Sequence, residues 1–197
     1  IEVPADWKDQ RVLLHFGAVD WEATVFVNGK ELGTHKGGSD PFTFDVTDHL
    51  KDGKGELVVR VWDPTDAGSQ PRGKQVSRPG GIWYTPVTGI WQTVWMEPVD
   101  PTHIRGVRVT PEIDKGEVEF VVDVAGDCES VLIGDRGGAG LKVRATGKPG
   151  QPIRMKVENP KLWTPDSPHL YPVTVAAVAR LADSAVADEA DTYFAMR

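Results

Sequence analysis

The chain contains only one cysteine, Cys128, among 197 residues, so it cannot form an internal disulfide and packing alone must hold its fold. No histidine lies near Cys128 in the sequence to activate it, and we therefore expect it to be a buried or half-buried apolar residue. Long hydrophobic runs are also missing, because no apolar stretch reaches the roughly 18–20 residues that cross a bilayer. Residues 1–7 lack the basic and apolar regions of a signal peptide, and the missing initiator Met suggests an excised piece.

Positive charge is in short supply, because 22 Lys and Arg residues stand against 29 Asp and Glu residues and give a formal net charge of −7. Nucleic-acid backbones and anionic membranes attract clustered Lys and Arg, so we expect neither as a partner. The glycine-rich residues 134–140 are followed by no helix, which argues against a phosphate cradle and favours a hairpin loop. The histidines are scattered without metal-ligand spacing, and we expect no metal and no cofactor. They are His15, His35, His49, His103 and His169.

Short alternating apolar runs separated by turn residues dominate the chain and predict an almost entirely β protein. Residues 12–16 and 24–27 show this alternation, and the second run leads into Asn28-Gly29, the strongest short signal for a β-hairpin. A polar loop rich in Gly and Pro follows at residues 63–81, and a loop of this length is usually functional or disordered. Further strand-like runs lie at residues 42–46, 57–62 and 90–97, with a helical turn at residues 47–50.

Pro98 and Pro101 mark the best domain boundary, because two prolines disrupt strand pairing and stiffen a short linker. We therefore predict one domain at residues 1–99 and a second at residues 100–197. In the second, seven strand-like runs separated by turns predict an immunoglobulin-like sandwich. These runs are residues 103–110, 117–124, 130–133, 141–145, 153–157, 171–181 and 188–195.

Residues 79–95 hold three of the seven tryptophans of the chain, punctuated by Gly-Gly, Thr-Pro and Thr-Gly steps. This tryptophan-rich run either closes the core of a sheet or lines a surface for a flat, partly apolar ligand such as a sugar. Residue types alone leave both interpretations open.

Asp20 is the strongest candidate for ligand contact, because it follows one predicted strand and precedes the next. From such a rigid frame its carboxylate could accept a hydrogen bond from a sugar hydroxyl, although a turn-capping role fits the residues equally well. Arg72, Lys74 and Gln75 of the long loop are donors for hydroxyls or carboxylates, unless that loop is simply solvated. No pair of carboxylates is set off by an apolar pocket of the kind that glycoside hydrolysis uses, so we predict no catalytic residue.

Together these segments resemble the accessory domains of glycoside hydrolase family 2, the β-galactosidase, β-glucuronidase and β-mannosidase group. The resemblance covers essentially the whole chain and implies an all-β fold, a jelly-roll-like β-sandwich followed by an immunoglobulin-like β-sandwich. It also implies that the first of these, the sugar-binding domain, is truncated at its N-terminus. The motifs that carry the resemblance include Val25-Phe26-Val27-Asn28-Gly29-Lys30, Gly81-Ile82-Trp83-Tyr84, Thr88-Gly89-Ile90-Trp91-Gln92-Thr93-Val94-Trp95, Pro160-Lys161-Leu162-Trp163-Thr164-Pro165-Asp166-Ser167-Pro168-His169-Leu170-Tyr171 and Asp191-Thr192-Tyr193-Phe194-Ala195-Met196-Arg197.

The resemblance also implies roles for single residues. Asp20 matches a position from which family members send an acidic or amide side chain toward the substrate pocket, and the loop at residues 72–75 would face a catalytic TIM barrel. The order of the tryptophan-rich run matches a closing strand, so we expect Trp91 and Trp95 in the sheet core and Trp83 at the edge of the ligand site. Thr93 stands where some members have an acidic residue that helps to hold a cation, and it cannot supply that charge.

The TIM barrel, which carries both catalytic glutamates of the family, is absent from these residues. We therefore predict a non-catalytic accessory piece of a retaining glycosidase, whose partners are that barrel and a β-glycoside substrate. Two alternatives stay open: a free-standing carbohydrate-binding module that stacks sugars on Trp83, Tyr84 or Trp91, and a purely structural scaffold. We expect a soluble protein of a bacterial periplasm or cytoplasm.

Overall fold

Antiparallel β-strands dominate the computed structural model, which describes residues 1–137, 140–180 and 185–197. Contacts divide the chain into two units, Ile1–Val99 (unit 1) and Asp100–Arg197 (unit 2). Helical structure in the described ranges is limited to single 3-10 turns such as Thr47–His49, so none of these helices has the length to cross a membrane. The all-β class predicted from the alternating runs is confirmed.

Unit 1 is a jelly-roll-like sandwich built from three small antiparallel sheets. Their strand orders are β5-β1-β8, β4-β3-β6 and β2-β7. The strands are β1 (Arg11–Phe16), β2 (Val19–Asp20), β3 (Glu22–Val27), β4 (Lys30–Lys36), β5 (Phe42–Asp45), β6 (Leu57–Trp62), β7 (Gly89–Ile90) and β8 (Val94–Val99).

Alternate side chains of β1 and β3 form the core of unit 1. In β1 every second residue is buried, which is the period expected of a strand with one face on a core. The inward residues of both strands pack into one apolar cluster, so the two larger sheets share a core. These residues are Val12, Leu14, Phe16, Ala23, Val25 and Val27.

The hairpin predicted at Asn28-Gly29 is present and connects β3 to β4. Val27 pairs with Lys30 across the turn, and φ is 51° at Asn28 and 77° at Gly29. Two positive φ values are the signature of the tight hairpin turn that Asn-Gly favours, because both residues tolerate the left-handed region.

The strand predicted at residues 90–97 is wrong in one respect, because the structure divides it into β7 and β8. β7 pairs with β2, whereas β8 pairs with β1. The chain bends at Gly17 and Ala18 between β1 and β2, and the partner strand bends with it: the Gly17 N–H donates to the Thr93 carbonyl at 2.9 Å. The interruption therefore follows the bend of the opposing strands.

Unit 2 is an immunoglobulin-like sandwich of two antiparallel sheets with strand orders β13-β10-β9 and β12-β11-β14-β15. Their inner faces share a core in which Phe120 meets Phe194 edge to face at 6.0 Å between ring centres. The half-buried Cys128 packs against the same cluster, as predicted. The strands are β9 (His103–Glu112), β10 (Glu117–Ala125), β11 (Ser130–Gly137), β12 (Gly140–Gly147), β13 (Ile153–Lys156), β14 (Tyr171–Arg180) and β15 (Ala185–Phe194).

The glycine-rich stretch predicted as a hairpin loop at residues 134–140 is mostly strand. β11 continues to Gly137, and Gly137 pairs with Gly140 at the start of β12. Residues 138 and 139, at the tip of the predicted loop, lie outside the described residues, as does Leu181 at the end of another predicted strand.

Two segments that the resemblance had singled out, at residues 160–171 and 191–197, meet in unit 2. Leu162 and Met196 form a parallel bridge, and the backbone N–H of Trp163 donates to the Met196 carbonyl at 2.9 Å. The Arg197 guanidinium lies 4.8 Å from the ring centre of Trp163. Because Met196 is fully buried, this contact holds the last residues of the chain on the core.

Candidate functional site

A cleft of about 860 Å³ opens in unit 1 where β2 and β7 meet the long loop between β6 and β7. The Val19–Ile90 and Asp20–Gly89 pairs join the two short strands at its wall. The turn after β4 supplies a second wall, and the long loop supplies the third. The lining of the cleft includes Asp20, Lys36, Gly37, Gly38, Asp40, Arg72, Gln75, Thr88 and Trp91.

Asp20 stands at the end of β2, with the backbone of Gly38 against its carboxylate. A Cβ atom placed on Gly38 would lie 2.7 Å from Oδ1 of Asp20, a distance that real Cβ contacts essentially never show. The peptide bond between Asp20 and Trp21 is cis. Strand pairing on one side and Gly38 on the other hold the carboxylate in the cleft wall.

The surroundings of Asp20 shift the pKa of its carboxyl upward. Burial raises the pKa of the carboxyl above its ordinary value, the negative charge of Asp63 raises it further, and a hydrogen bond from Gln75 opposes the rise. Gln75 is oriented for this role, because its Oε1 accepts the backbone N–H of Val87 at 2.6 Å and its NH₂ group is left to donate. A ligand hydroxyl that donates a hydrogen bond to Asp20 would replace part of the hydration that the carboxylate loses on burial.

The long loop is ordered by its own hydrogen bonds. Asp63 accepts the backbone N–H of Thr65 at 2.7 Å and the hydroxyl of Thr88 at 2.8 Å. Asp66 accepts the hydroxyl and backbone N–H of Ser77, and these bonds lower the pKa of its carboxyl. A loop of this length was expected to be either functional or disordered. These hydrogen bonds agree with an ordered loop that positions side chains.

The five residues predicted for the site divide into two groups. Asp20, Arg72 and Gln75 line the cleft. Lys74 instead lies over the ring of Tyr84, with Nζ 5.7 Å from the ring centre, and Trp83 lies beside the Arg72 guanidinium at 5.5 Å. Lys74 and Trp83 therefore do not line the cleft themselves, and Trp83 instead contacts the lining residue Arg72. The functional roles of all five residues stay predictions.

The prediction that Trp91 and Trp95 belong to the sheet core is wrong. Trp91 is 56% exposed and Trp95 is 45% exposed. Val94 and Met96 turn inward from β8, so strand alternation turns Trp95 outward, where it stacks on His15 at 3.9 Å between ring centres. The inward positions of β8 belong to smaller side chains, and the period of the strand was the signal that could have shown this.

Trp91 lines the cleft, although the leading prediction placed it in the sheet core and only the alternative of a carbohydrate-binding module placed it at a ligand surface. Its indole Nε1 donates to the Gly38 carbonyl at 2.6 Å. This bond fixes the ring beside the turn that packs on Asp20, and the exposed Trp91 side chain lines the cleft. Asp40 and Lys36 also line the cleft and were not predicted.

Metal-ligand geometry is not found in the described ranges, because no three His, Cys, Asp or Glu side chains there converge as a site for an ion. Thr93, the position considered for a cation, instead uses its carbonyl to accept the Gly17 N–H. The cleft lining offers charged side chains, hydrogen-bonding groups and an aromatic ring, a combination typical of ligand recognition.

Comparison with known proteins matches both units to one family. The profile described as "Glycosyl hydrolases family 2, sugar binding domain" matches residues 1–92, and the profile described as "Glycosyl hydrolases family 2" matches residues 102–197. The chain belongs to glycosyl hydrolase family 2. The family resemblance predicted from the sequence motifs is thereby confirmed.

Relatives in the family carry different enzyme names. A β-galactosidase of Thermoanaerobacter pseudethanolicus is 31% identical over 194 residues, covering 90% of this chain and 25% of the relative. A putative β-glucuronidase of Formosa agariphila is 31% identical over 197 residues, covering 93% of this chain and 17% of the relative. The chain thus spans about a quarter or less of the length of these relatives, and the rest of each relative has no counterpart in this chain.

Solved structures of the family share the fold of the whole chain. A β-glucuronidase from Ruminococcus gnavus in complex with C6-substituted uronic isofagomine has a TM-score of 0.74 and 22% identity, covering all of this chain and 35% of its own. A Lactobacillus rhamnosus β-glucuronidase gives 0.73 and 24%, with 34% of its chain covered. At identities below 25%, this likeness shows the fold alone, and it supports the architecture of two β-sandwiches.

Proposed function

We propose that this chain is the non-catalytic, sugar-contacting part of a retaining β-glycosidase of family 2. Unit 1 acts as the sugar-binding domain and unit 2 as the immunoglobulin-like domain, with the boundary at residues 99 and 100. A catalytic TIM barrel completes the substrate pocket and supplies both catalytic carboxylates. The greater length of the relatives supports such a partner.

One observation carries this proposal: the partly buried carboxylate of Asp20 lies at the wall of a cleft in the unit that matches the sugar-binding profile. Arg72 and Gln75 add donors, and Trp91 adds an aromatic face. This combination of a few fixed polar groups with an exposed ring is typical of small-molecule sites.

The test is kinetic and uses a longer protein that carries this chain beside a catalytic domain. We expect Asp20→Ala to lower kcat/KM for a nitrophenyl β-glycoside. The corresponding loss of transition-state stabilisation is about 1–3 kcal/mol, the effect of losing hydrogen bonds to a charged group. Asp52→Asn is the matched control, because Asp52 does not line the cleft and its positive φ of 51° suits Asn. Unchanged kinetics for a folded Asp20 variant would remove this residue from the site. Hydrolysis by the 197-residue chain alone would overturn its non-catalytic role.

A free-standing carbohydrate-binding module is the second candidate. It is favoured by the exposure of Trp83, Tyr84 and Trp91, which leaves stacking surface on unit 1. Titration of polysaccharides into the isolated chain separates the two candidates, because tight binding without a catalytic partner is expected only of the module. A lack of response would remove this candidate.

A further inference from the structure

Asn28 carries a side-chain amide in the exposed turn between β3 and β4, and it is one of only two asparagines in the sequence. We infer that Asn28 is a site of spontaneous covalent modification, namely deamidation, and that the hydrogen bonds of its own side chain set the rate. The other asparagine, Asn159, precedes Pro160. The inference concerns a turn of unit 1 and does not depend on the proposed function.

Deamidation begins when the backbone nitrogen of the following residue attacks Cγ of the asparagine. A bond forms between this nitrogen and Cγ while the nitrogen gives up its proton to solvent. The Nδ2 group takes up a proton and leaves as ammonia. Water then opens the resulting five-membered imide at one of its two carbonyls. The product is an aspartate or an isoaspartate, and water is the only co-reactant.

The residue after Asn28 offers little steric resistance to this attack. Gly29 has no side chain, and a Cβ atom placed on it would meet no atom within 4 Å beyond those of the adjacent residues. Its backbone also adopts a wide range of φ and ψ, which helps the nitrogen to reach Cγ. Asn159 cannot react in this way, because the nitrogen of Pro160 carries no hydrogen. The chain therefore contains one reactive asparagine and one internal control.

The native fold holds the amide of Asn28 away from the reaction. Its Oδ1 accepts the backbone N–H of Glu56 at 3.0 Å, and its Nδ2 donates to the His49 carbonyl at 2.8 Å. These bonds engage both polar atoms attached to Cγ, so rotation of Cγ toward the Gly29 nitrogen requires that they break. The reaction therefore proceeds through molecules in which the turn has opened locally, and the closed turn slows it.

Deamidation weakens the turn that restrains it. An aspartate at position 28 keeps an acceptor for the Glu56 N–H but has no donor for the His49 carbonyl, which then faces a carboxylate oxygen. An isoaspartate adds one backbone atom to the two-residue turn across which Val27 and Lys30 pair. Both products make closure of the turn less favourable than it is in the parent.

The test follows both asparagines in the full 197-residue chain by mass spectrometry of tryptic peptides. Cleavage after Lys and Arg places them in separate peptides, residues 12–30 and residues 157–161. Folded protein and protein unfolded in guanidinium chloride are incubated at the same pH and temperature. We expect the amide-to-acid mass change at Asn28 to be at least about tenfold faster in the unfolded chain, because two hydrogen bonds no longer restrain the amide. Asn159 should stay unchanged in both samples.

Two variants at the exposed Glu56 examine the hydrogen bond to Oδ1 separately. Glu56→Pro removes the backbone N–H that Oδ1 accepts, whereas Glu56→Ala keeps this N–H and loses only the carboxylate. We expect folded Glu56→Pro to deamidate roughly three to ten times faster than the parent, the effect of one lost hydrogen bond. Glu56→Ala should react at the rate of the parent. If the Pro variant does not fold, the comparison of folded and unfolded parent decides alone.

Three outcomes would overturn the inference. Equal rates at Asn28 in folded and unfolded protein would show that the hydrogen bonds do not control the reaction. Conversion of Asn159 as fast as Asn28, or no conversion of Asn28 in the unfolded chain, would show that Gly29 does not make the site reactive. A folded Glu56→Pro variant that reacts no faster than Glu56→Ala would remove the protective role of the bond to Oδ1.

Discussion

Asn28 connects the β3–β4 turn of unit 1 to the segment that precedes β6. Its Nδ2 donates to the His49 carbonyl at 2.8 Å, and its Oδ1 accepts the backbone N–H of Glu56 at 3.0 Å. The residue also adopts a φ of 51°, in the left-handed region. Asn28 therefore combines a turn conformation of its backbone with two side-chain hydrogen bonds to residues distant in sequence.

Replacing Asn28 separates these contributions. Each lost hydrogen bond costs about 0.5–1.5 kcal/mol, and a left-handed Ala adds about 1 kcal/mol or slightly more. We therefore expect Asn28→Ala to lower the free energy of unfolding by about 2–4 kcal/mol. Asn28→Gly loses the same bonds without the backbone strain, and its expected loss is about 1–3 kcal/mol. Asn28→Asp keeps the acceptor and tolerates the turn, so it should lose about 1 kcal/mol.

Urea unfolding followed by tryptophan fluorescence measures this series. The signal reports mainly on unit 1, because six of the seven tryptophans precede residue 100. An Asn28→Ala variant within about 0.5 kcal/mol of the parent, the range of ordinary surface changes, would refute the reasoning. Equal losses for the Ala and Gly variants would show that backbone strain contributes nothing.

Three further predictions concern the unit 2 core and two acidic groups of unit 1. Phe120 is fully buried, so Phe120→Ala should cost about 3–5 kcal/mol in the urea unfolding of unit 2 measured by circular dichroism, and a loss below about 1 kcal/mol would contradict the packing. Burial alone would raise the pKa of Asp45, but hydrogen bonds from Thr47 and Arg11 outweigh it and lower the pKa. Asp45→Asn should therefore destabilise the protein at neutral pH, and the difference should fade as the pH drops below 3.8 through the pKa of the folded state. The pKa of Asp20 is raised, so Asp20→Asn should stabilise the protein above that pKa, with the gain fading as the pH falls toward 3.8. Unfolding curves across this pH range check both signs, and slopes of the same sign for the two variants would contradict the assignment.

Strand alternation and turn chemistry predicted most of the fold. Residues 12–16 show the two-residue period in sequence, and the structure buries every second residue there. Asn28-Gly29 predicted the hairpin because its turn depends on two adjacent residues. Such local rules work where the chain contacts itself within a few residues. The division between β7 and β8 depends instead on the bend of β1 and β2 far away in sequence, which no local pattern reveals.

The candidate site was predicted only in part for the same reason. Asp20 stood out because the end of a strand is a local feature. Its neighbours do not: the bond between Trp91 and the Gly38 carbonyl joins residues 53 positions apart, and Gln75 reaches Asp20 from a long loop. These contacts are set by how the sheets place the turns, and residue types alone predicted the donors without their partners.

The tryptophan-rich run therefore does not have to choose between a sheet core and a ligand surface. A strand that closes a sandwich has one face toward the core and one face toward solvent. Val94 and Met96 therefore pack inward while Trp95 faces outward. Trp91 lies between β7 and β8, so the two-residue alternation of a strand does not fix its direction. Its hydrogen bond to the Gly38 carbonyl places the ring at the cleft. Core packing and the lining of the cleft thus depend on different residues of the same run.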